Sequence, residues 1–194
     1  FMVNIEKIKQ TPITCTFLLL SVLVFLVARI TEPENVRFLA LDYNELPQRW
    51  YTIISYGIVH IEWYHILLNM VILVFVGSWV EMLLGSKRYI ILVVTSILAG
   101  GVSLILRETS GIGFSAAGSG ILFYYYFAFP WEKELPWNLP NIVLPLALLI
   151  LSVMAIVFGW LPAVGHYPHI AGALTGVILL ICFHKKHNLM AFDD

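Results

Sequence analysis

The sequence predicts an all-α polytopic membrane protein, a bundle of six membrane-crossing helices. Of its 194 residues, 60% are apolar and 12% are charged, whereas a soluble domain carries about 45–50% and about 25%. Mean hydropathy is +0.87. The apolar residues fall into six runs, at about 13–29, 53–84, 89–106, 114–129, 141–160 and 168–183. At about 20 residues per crossing these use most of the chain and leave no room for a separate soluble domain. Residues 1–194 read as one membrane-embedded domain with short tails at about 1–11 and 184–194.

The first run follows Lys7 and Lys9 and is too continuous with the next segment to be a cleaved signal peptide. The second is longer than one crossing. Its front part, Tyr51 to Tyr64, carries Ser55, His60, Glu62 and Trp63, so the helix proper is expected to start near Trp63 after a stretch lying at the interface. The 31–49 loop, with Trp50 and Trp63 at its end, is expected to fold onto the membrane surface. The fourth run is short, about 24 Å of helix against a hydrocarbon core of about 30 Å, so its start should be recessed. Pro130, Pro136 and Pro140 punctuate the next turn, where Trp131 and Trp137 mark the headgroup level.

Lys and Arg set the direction. Lys7, Lys9, Lys87, Arg88, Lys133, Lys185 and Lys186 gather on one side, and Arg29, Arg37, Arg49 and Arg107 on the other. The seven-to-four excess places both termini in the cytoplasm. Short tails without a targeting segment point to a prokaryotic plasma membrane. Phe1 stands before Met2, the expected initiator. Net charge is −1, so nothing singles out nucleic acid as a partner. Cys15 and Cys182 sit inside apolar runs and imply no disulfide framework.

Polar side chains inside spans are expensive, which makes each one a functional candidate. They are His60, His65, Asn69, Glu81, Ser119 and His169. His65 and Asn69 are four apart, on one helix face. Spans two, four and six all begin on the outer side, so His65, Asn69, Ser119 and His169 share one depth. Gly172 and Gly176 form a small-residue face suited to close approach by the equally small Gly118-Ser119-Gly120. A serine hydroxyl needs a base, and a neutral histidine is the usual one near pH 7. An acyl-transfer oxyanion needs donors, which His65, Asn69 and the backbone at Ser119 can supply. Phe123, four after Ser119, lies on the same face and can pack on the imidazole.

Each of these residues also has a plainer reading. Gly118-Ser119-Gly120 is helix packing, His65 with Asn69 an interhelical hydrogen-bond clamp, and His60 and His166 interfacial residues. Glu81 holds a turn through the Gly85 region or Arg88. Aspartate occurs only at Asp42, Asp193 and Asp194, outside the spans, which excludes an intramembrane aspartyl pair, and His-Glu-x-x-His is missing. A transporter would more often show paired broken helices or internal charges.

Taken together, His60-Ile-Glu-Trp-Tyr-His65-Ile-Leu-Leu-Asn69, Gly77 to Glu81 with Gly85, Gly118-Ser119-Gly120 and His169-Ile-Ala-Gly172-Ala-Leu-Thr-Gly176 resemble the rhomboid family of intramembrane serine proteases. The resemblance runs from about Arg49 to the end of the sixth run. It implies a six-helix core and a cofactor-free, metal-free Ser–His dyad that hydrolyses transmembrane protein substrates, entering from the lipid past the fifth span into a cavity open to the outer side. Carried over, Ser119 is the nucleophile and His169 the base. His65 and Asn69 are oxyanion donors with the backbone of Gly118 and Ser119. His60 shapes the loop before span two, and Phe123 stacks on the catalytic imidazole. Ala117 stands where the family has glycine, Arg49 precedes Trp50 where the family often has the reverse order, and Tyr56 stands where some relatives carry histidine. A catalytically silent rhomboid-like protein that binds transmembrane helices is the alternative.

Overall fold

The computed structural model describes residues 10–161 and 164–187, with the side chains of 184–187 left aside. Its helices are α1 (Pro12–Ile30), α2 (Thr52–Ser55), α3 (Trp63–Ile72), α4 (Ser78–Leu84), α5 (Ser86–Leu106), α6 (Ser115–Ala128), α7 (Val143–Phe158) and α8 (His166–His187). A π-helical segment, Leu73–Gly77, joins α3 to α4 into one apolar helix of 22 residues. That helix, α1, α5 and the first 18 residues of α8 are long and apolar enough to cross a membrane. With the shorter α6 and α7 the arrangement is compatible with the six helices expected, and no strand is named among the described residues. The chain is a multi-span integral membrane protein.

Two boundaries differ from expectation. The last helix starts at His166, before Pro168, and runs on to His187. Pro168 falls in its first turn, where a missing N–H costs no hydrogen bond, so it opens the helix and does not delay it. The expected first tail lies largely outside the described residues, as does the end of the second.

Lipid solvates the outside and small residues build the inside. α1 exposes Leu19, Leu23 and Ile30, and α7 buries only Pro145 and Ala155. α6 is the centre: eight of its 14 residues are buried, and it packs most extensively on α8 and then on α5. Hydrocarbon offers helices little hydrophobic incentive to associate, so such contacts depend on close fit. Gly172 and Gly176 supply it. A Cβ at Gly172 would fall on the carbonyl of Ala116, and one at Gly176 on that of Gly120.

Glu81, fully buried, holds the other end. Its carboxylate accepts the α1 backbone N–H groups of Ile13 (2.9 Å) and Thr14 (2.8 Å) and the Ser86 hydroxyl (2.8 Å). These are among the first N–H groups of α1, which have no partner within their own helix. The Gly85 N–H returns to the Glu81 carbonyl at 2.8 Å, and φ of +72° at Gly85 lets α5 follow α4 directly.

Candidate active site

The 31–49 segment is built from short 3-10 turns, Pro33–Leu39 and Tyr43–Glu45, and packs inward. Leu41 is fully buried and exchanges backbone hydrogen bonds with Gly111 at 3.2 and 2.9 Å. Asp42 accepts the Ser110 hydroxyl at 3.2 Å. Its carboxyl is held below the usual range, first by the Asn44 N–H and then by Ser110 and Arg37. A cavity of about 420 Å³ lies at this junction, lined by Arg37, Asp42 and Ser110 among others; neither Ser119 nor His169 lines it.

The 107–114 segment that leads into α6 is therefore fastened from outside. It is fastened from inside by His60, which is fully buried. The His60 Nε2 accepts the Phe114 N–H at 3.3 Å, and Nδ1 lies 3.4 Å from the Ile58 carbonyl. Both contacts fit one neutral tautomer, with the proton on Nδ1. Burial first, then the neighbouring His65, push the His60 pKa down to about 4 against the weaker pull of the Ile58 carbonyl. Tyr56 adds a third tie: its carbonyl accepts the Gly113 N–H at 2.9 Å, while its hydroxyl donates to the Ile97 carbonyl at 2.7 Å.

Gly113 itself has φ of +108°, and a Cβ there would meet the His65 ring at 2.5 Å. The chain thus passes directly over the imidazole of His65, which also meets His60 edge to face at 5.0 Å between centroids. Only glycine allows this backbone and this approach. One turn deeper, Asn69 is 3% exposed and its Nδ2 donates to the His65 carbonyl at 2.9 Å, which leaves its second amide hydrogen uncommitted by that bond. Asn69 Oδ1 comes within 3.8 Å of where a Cβ on Gly118 would stand. The starts of α3 and α6 do meet.

Ser119 is half-buried in the second turn of α6, and His169 half-buried in the first turn of α8. The contact between Gly172 and Ala116 sets their register. His169 lies three residues before that level and Ser119 three residues after it, about one turn on either side. Among the described residues no hydrogen bond joins the two. His169 is within electrostatic reach of His166 and His65, and its ring contact is with His166, at 6.3 Å and 82°. Phe123 does not stack on His169. It is 5% exposed and lies parallel to Phe127 at 5.7 Å, in the cluster with Leu122 and Ala173, because the face of α6 four residues beyond Ser119 has already turned into the apolar interior. The Gly118 N–H is also engaged: it donates to the Phe114 carbonyl at 2.8 Å, closing the first turn of α6. The N–H groups of Ser115, Ala116 and Ala117 precede that bond and have no partner in the helix, so the α6 N-terminus favours negative charge beside its first turn, one turn before Ser119.

Sequence reasoning missed three residues here. Gly113 had a signal, a glycine two residues after Gly111 in the segment that must bend into α6. His166 was read as interfacial, yet it is 8% exposed, with both ring nitrogens buried and without a hydrogen-bond partner among the described residues. Tyr56, noted only as a departure from relatives, is a central core residue at 2% exposure.

The family model of the Rhomboid domain matches residues 47–186 of this chain. The chain belongs to the rhomboid family. It is 26% identical over 174 residues to the rhomboid protease GlpG of two Klebsiella pneumoniae strains, an overlap of 87% of this chain and 62% of each relative. It is 26% identical over 154 residues to the rhomboid-type serine protease 2 of Emericella nidulans, covering 78% of this chain and 30% of that one. The chain therefore spans about three-fifths or less of the length of these curated relatives. The match includes every polar residue described above from His60 to His169, and it leaves the whole of α1 outside.

Proposed function

We propose that this rhomboid is an intramembrane serine endopeptidase that cleaves transmembrane protein substrates, with Ser119 as nucleophile and His169 as general base. The observation that carries the reading is the meeting of α3, α6 and α8 at one end of the bundle, through His65 beneath Gly113, Asn69 beside Gly118 and Gly172 against Ala116. These helix contacts gather polar residues of α3, α6 and α8 at one end of the bundle, which supports the reading. The relatives named as proteases support it.

In this reading His169 takes the Ser119 proton as the hydroxyl oxygen attacks the scissile carbonyl. The oxyanion draws on the free amide hydrogen of Asn69, on His65 and on the N-terminal N–H groups of α6. The Gly118 N–H contributes only by leaving the Phe114 carbonyl. His169 then passes the proton to the departing amine, and it removes a proton from the water that hydrolyses the acyl-enzyme. The parallel register leaves Ser119 about six residues, about 9 Å along the helix axis, beyond the level of His169, so this reading requires α6 and α8 to shift against one another before the pair can react. Substrate enters beside α7, whose two buried residues hold it loosely to the bundle. Both termini lie in the cytoplasm of a prokaryotic cell, and the site faces outward.

The missing Ser119–His169 hydrogen bond favours a second reading, a silent rhomboid-like binder of transmembrane helices. A fluorophosphonate probe separates the two. The wild-type chain is expected to label and to cleave a synthetic transmembrane peptide, and Ser119→Ala and His169→Ala to do neither. Cleavage that persists in Ser119→Ala overturns the assignment; a wild-type chain that neither labels nor cleaves supports the binder.

A further inference from the structure

The cavity between the 31–49 and 107–114 segments has no part in the catalytic reading. It encloses about 420 Å³ and carries one cation and one anion, Arg37 and Asp42, beside Ser110. Both charges have capacity to spare. Asp42 Oδ1 accepts the Asn44 N–H at 3.1 Å and the Ser110 hydroxyl at 3.2 Å, whereas Oδ2 has only Arg37 Nη2 among the described residues, at 3.5 Å. A guanidinium has five N–H donors, and this long contact engages one of them. The Arg37 side chain is 63% exposed, and an exposed pair of this length contributes little to folding, so holding the loop does not account for its position. A free anion in the cavity would meet the Asp42 carboxylate, and a free cation the Arg37 guanidinium. A ligand that carries both charges a short distance apart answers both.

The surroundings identify its source. Phe38, next to Arg37, and Trp50 and Trp63, at the end of the loop, are exposed, as aromatic residues at a membrane–water interface are, which puts the cavity at headgroup depth. A second cavity of about 170 Å³ continues from the first, sharing Arg37, Ala40 and Ile112. Its wall is mostly apolar, with Val36, Val59 and Ile61, and its one further charge is Glu34, a second carboxylate that disfavours an anionic lipid. We propose that the two cavities together hold one phospholipid whose zwitterionic headgroup ends in a primary ammonium, as in phosphatidylethanolamine, with the phosphate on Arg37, the ammonium on Asp42 Oδ2 and the glycerol end in the apolar part. A primary ammonium brings the N–H donors that Oδ2 lacks, and a trimethylammonium brings none. In the wall of the first cavity Leu41 and Gly111 exchange backbone hydrogen bonds, and Gly111 stands two residues before Gly113, which crosses His65. The lipid thus secures the entry to α6, and the site is independent of whether Ser119 and His169 react as a pair.

The test uses the full chain in detergent with dihexanoyl phosphatidylethanolamine, the corresponding choline and glycerol phospholipids, and free phosphoethanolamine, reading bound ligand by native mass spectrometry and Tm in the same samples. Wild type is expected to retain one ethanolamine lipid and to bind it about tenfold or more tightly than the other two lipids. Arg37→Gln and Asp42→Asn are each expected to weaken that binding about tenfold or more. Their lipid-free Tm should stay within about 2 °C of wild type, because Arg37 is exposed and an asparagine oxygen at 42 still accepts from Ser110 and Asn44. Saturating ethanolamine lipid is expected to raise the Tm of wild type and to leave that of Arg37→Gln unmoved. Equal affinity for the three lipids, or ethanolamine-lipid binding unchanged in both variants, overturns the proposal. Free phosphoethanolamine that binds as tightly as the lipid overturns the membrane source. The headgroup comparison needs wild type alone, so it decides the matter even where a variant fails to fold.

Discussion

The His60 imidazole accepts the Phe114 backbone N–H at 3.3 Å, joining the segment before α3 to the residue that caps α6. Fifty-four residues of sequence separate them. Ser119 sits five residues beyond Phe114, so the entry of α6 is referenced to a buried, neutral histidine and not to the lipid.

That bond makes the fold sensitive to acid. The pKa of His60 is held down to about 4 from an ordinary 6.5, chiefly by burial. Between these values the unfolded chain binds a proton that the folded chain refuses, so stability is lost as pH falls from about 6.5 toward 4 and is unaffected by this group above that window. The expected result is a Tm in detergent that drops between pH 7.5 and 5 in wild type and drops less in His60→Gln. His60→Ala should cost about 1–3 kcal/mol at neutral pH by orphaning the Phe114 N–H. An identical pH dependence of Tm in His60→Gln would remove His60 as the sensor.

Asn69 offers a different signature. Oxyanion donors act mainly on the transition state, so Asn69→Ala is expected to reduce kcat by about a hundredfold or more with little change in KM. Steady-state kinetics on a transmembrane peptide reads both. A raised KM with unchanged kcat would reassign Asn69 to substrate binding or to the packing of α3 on α6.

Gly172 should tolerate no side chain. A methyl group there falls on the Ala116 carbonyl, which belongs to a helix backbone and cannot rotate away. Gly172→Ala is expected to lower stability by about 1–3 kcal/mol and to abolish labelling of Ser119 by pushing α6 and α8 apart. Near-wild-type Tm and labelling would show that the interface yields more easily than its geometry indicates.

At the opposite end, Glu81→Ala leaves the Ile13 and Thr14 N–H groups and the Ser86 hydroxyl without their acceptor. The expected cost is about 3 kcal/mol or more, with Glu81→Gln milder because its amide oxygen still accepts. Peptide cleavage per folded molecule should stay at the wild-type level in both, measured below their Tm. A variant that is stable yet inactive would mean this end communicates with Ser119.

Residues of two kinds were legible in the sequence. Hydrophobic runs place helices because hydrocarbon admits no unsatisfied backbone, and the runs ending at about 29, 84 and 106 match closely the observed helix ends at Ile30, Leu84 and Leu106. Polar residues inside those runs stand out because each is costly there, which is why His65, Asn69, Ser119 and His169 are the candidates the sequence offers. Phe123 was placed by helical periodicity on the Ser119 side, but periodicity fixes only the direction of a side chain on its own helix. The rotation of α6 against α8, set by Gly172 and Gly176, decides which neighbour it meets, and that neighbour is Phe127.

By itself, then, the sequence determined the solvent, the helices and a short set of candidate polar residues, because composition and spacing are local properties. The tertiary structure alone decided that Gly113 crosses over His65, that Glu81 caps α1 and that His166 turns an unpaired imidazole toward His169. Each of these depends on the distance between segments remote in sequence or on the orientation of a side chain at a helix start, and the spacing of residues along one helix does not specify which surface of another helix it meets.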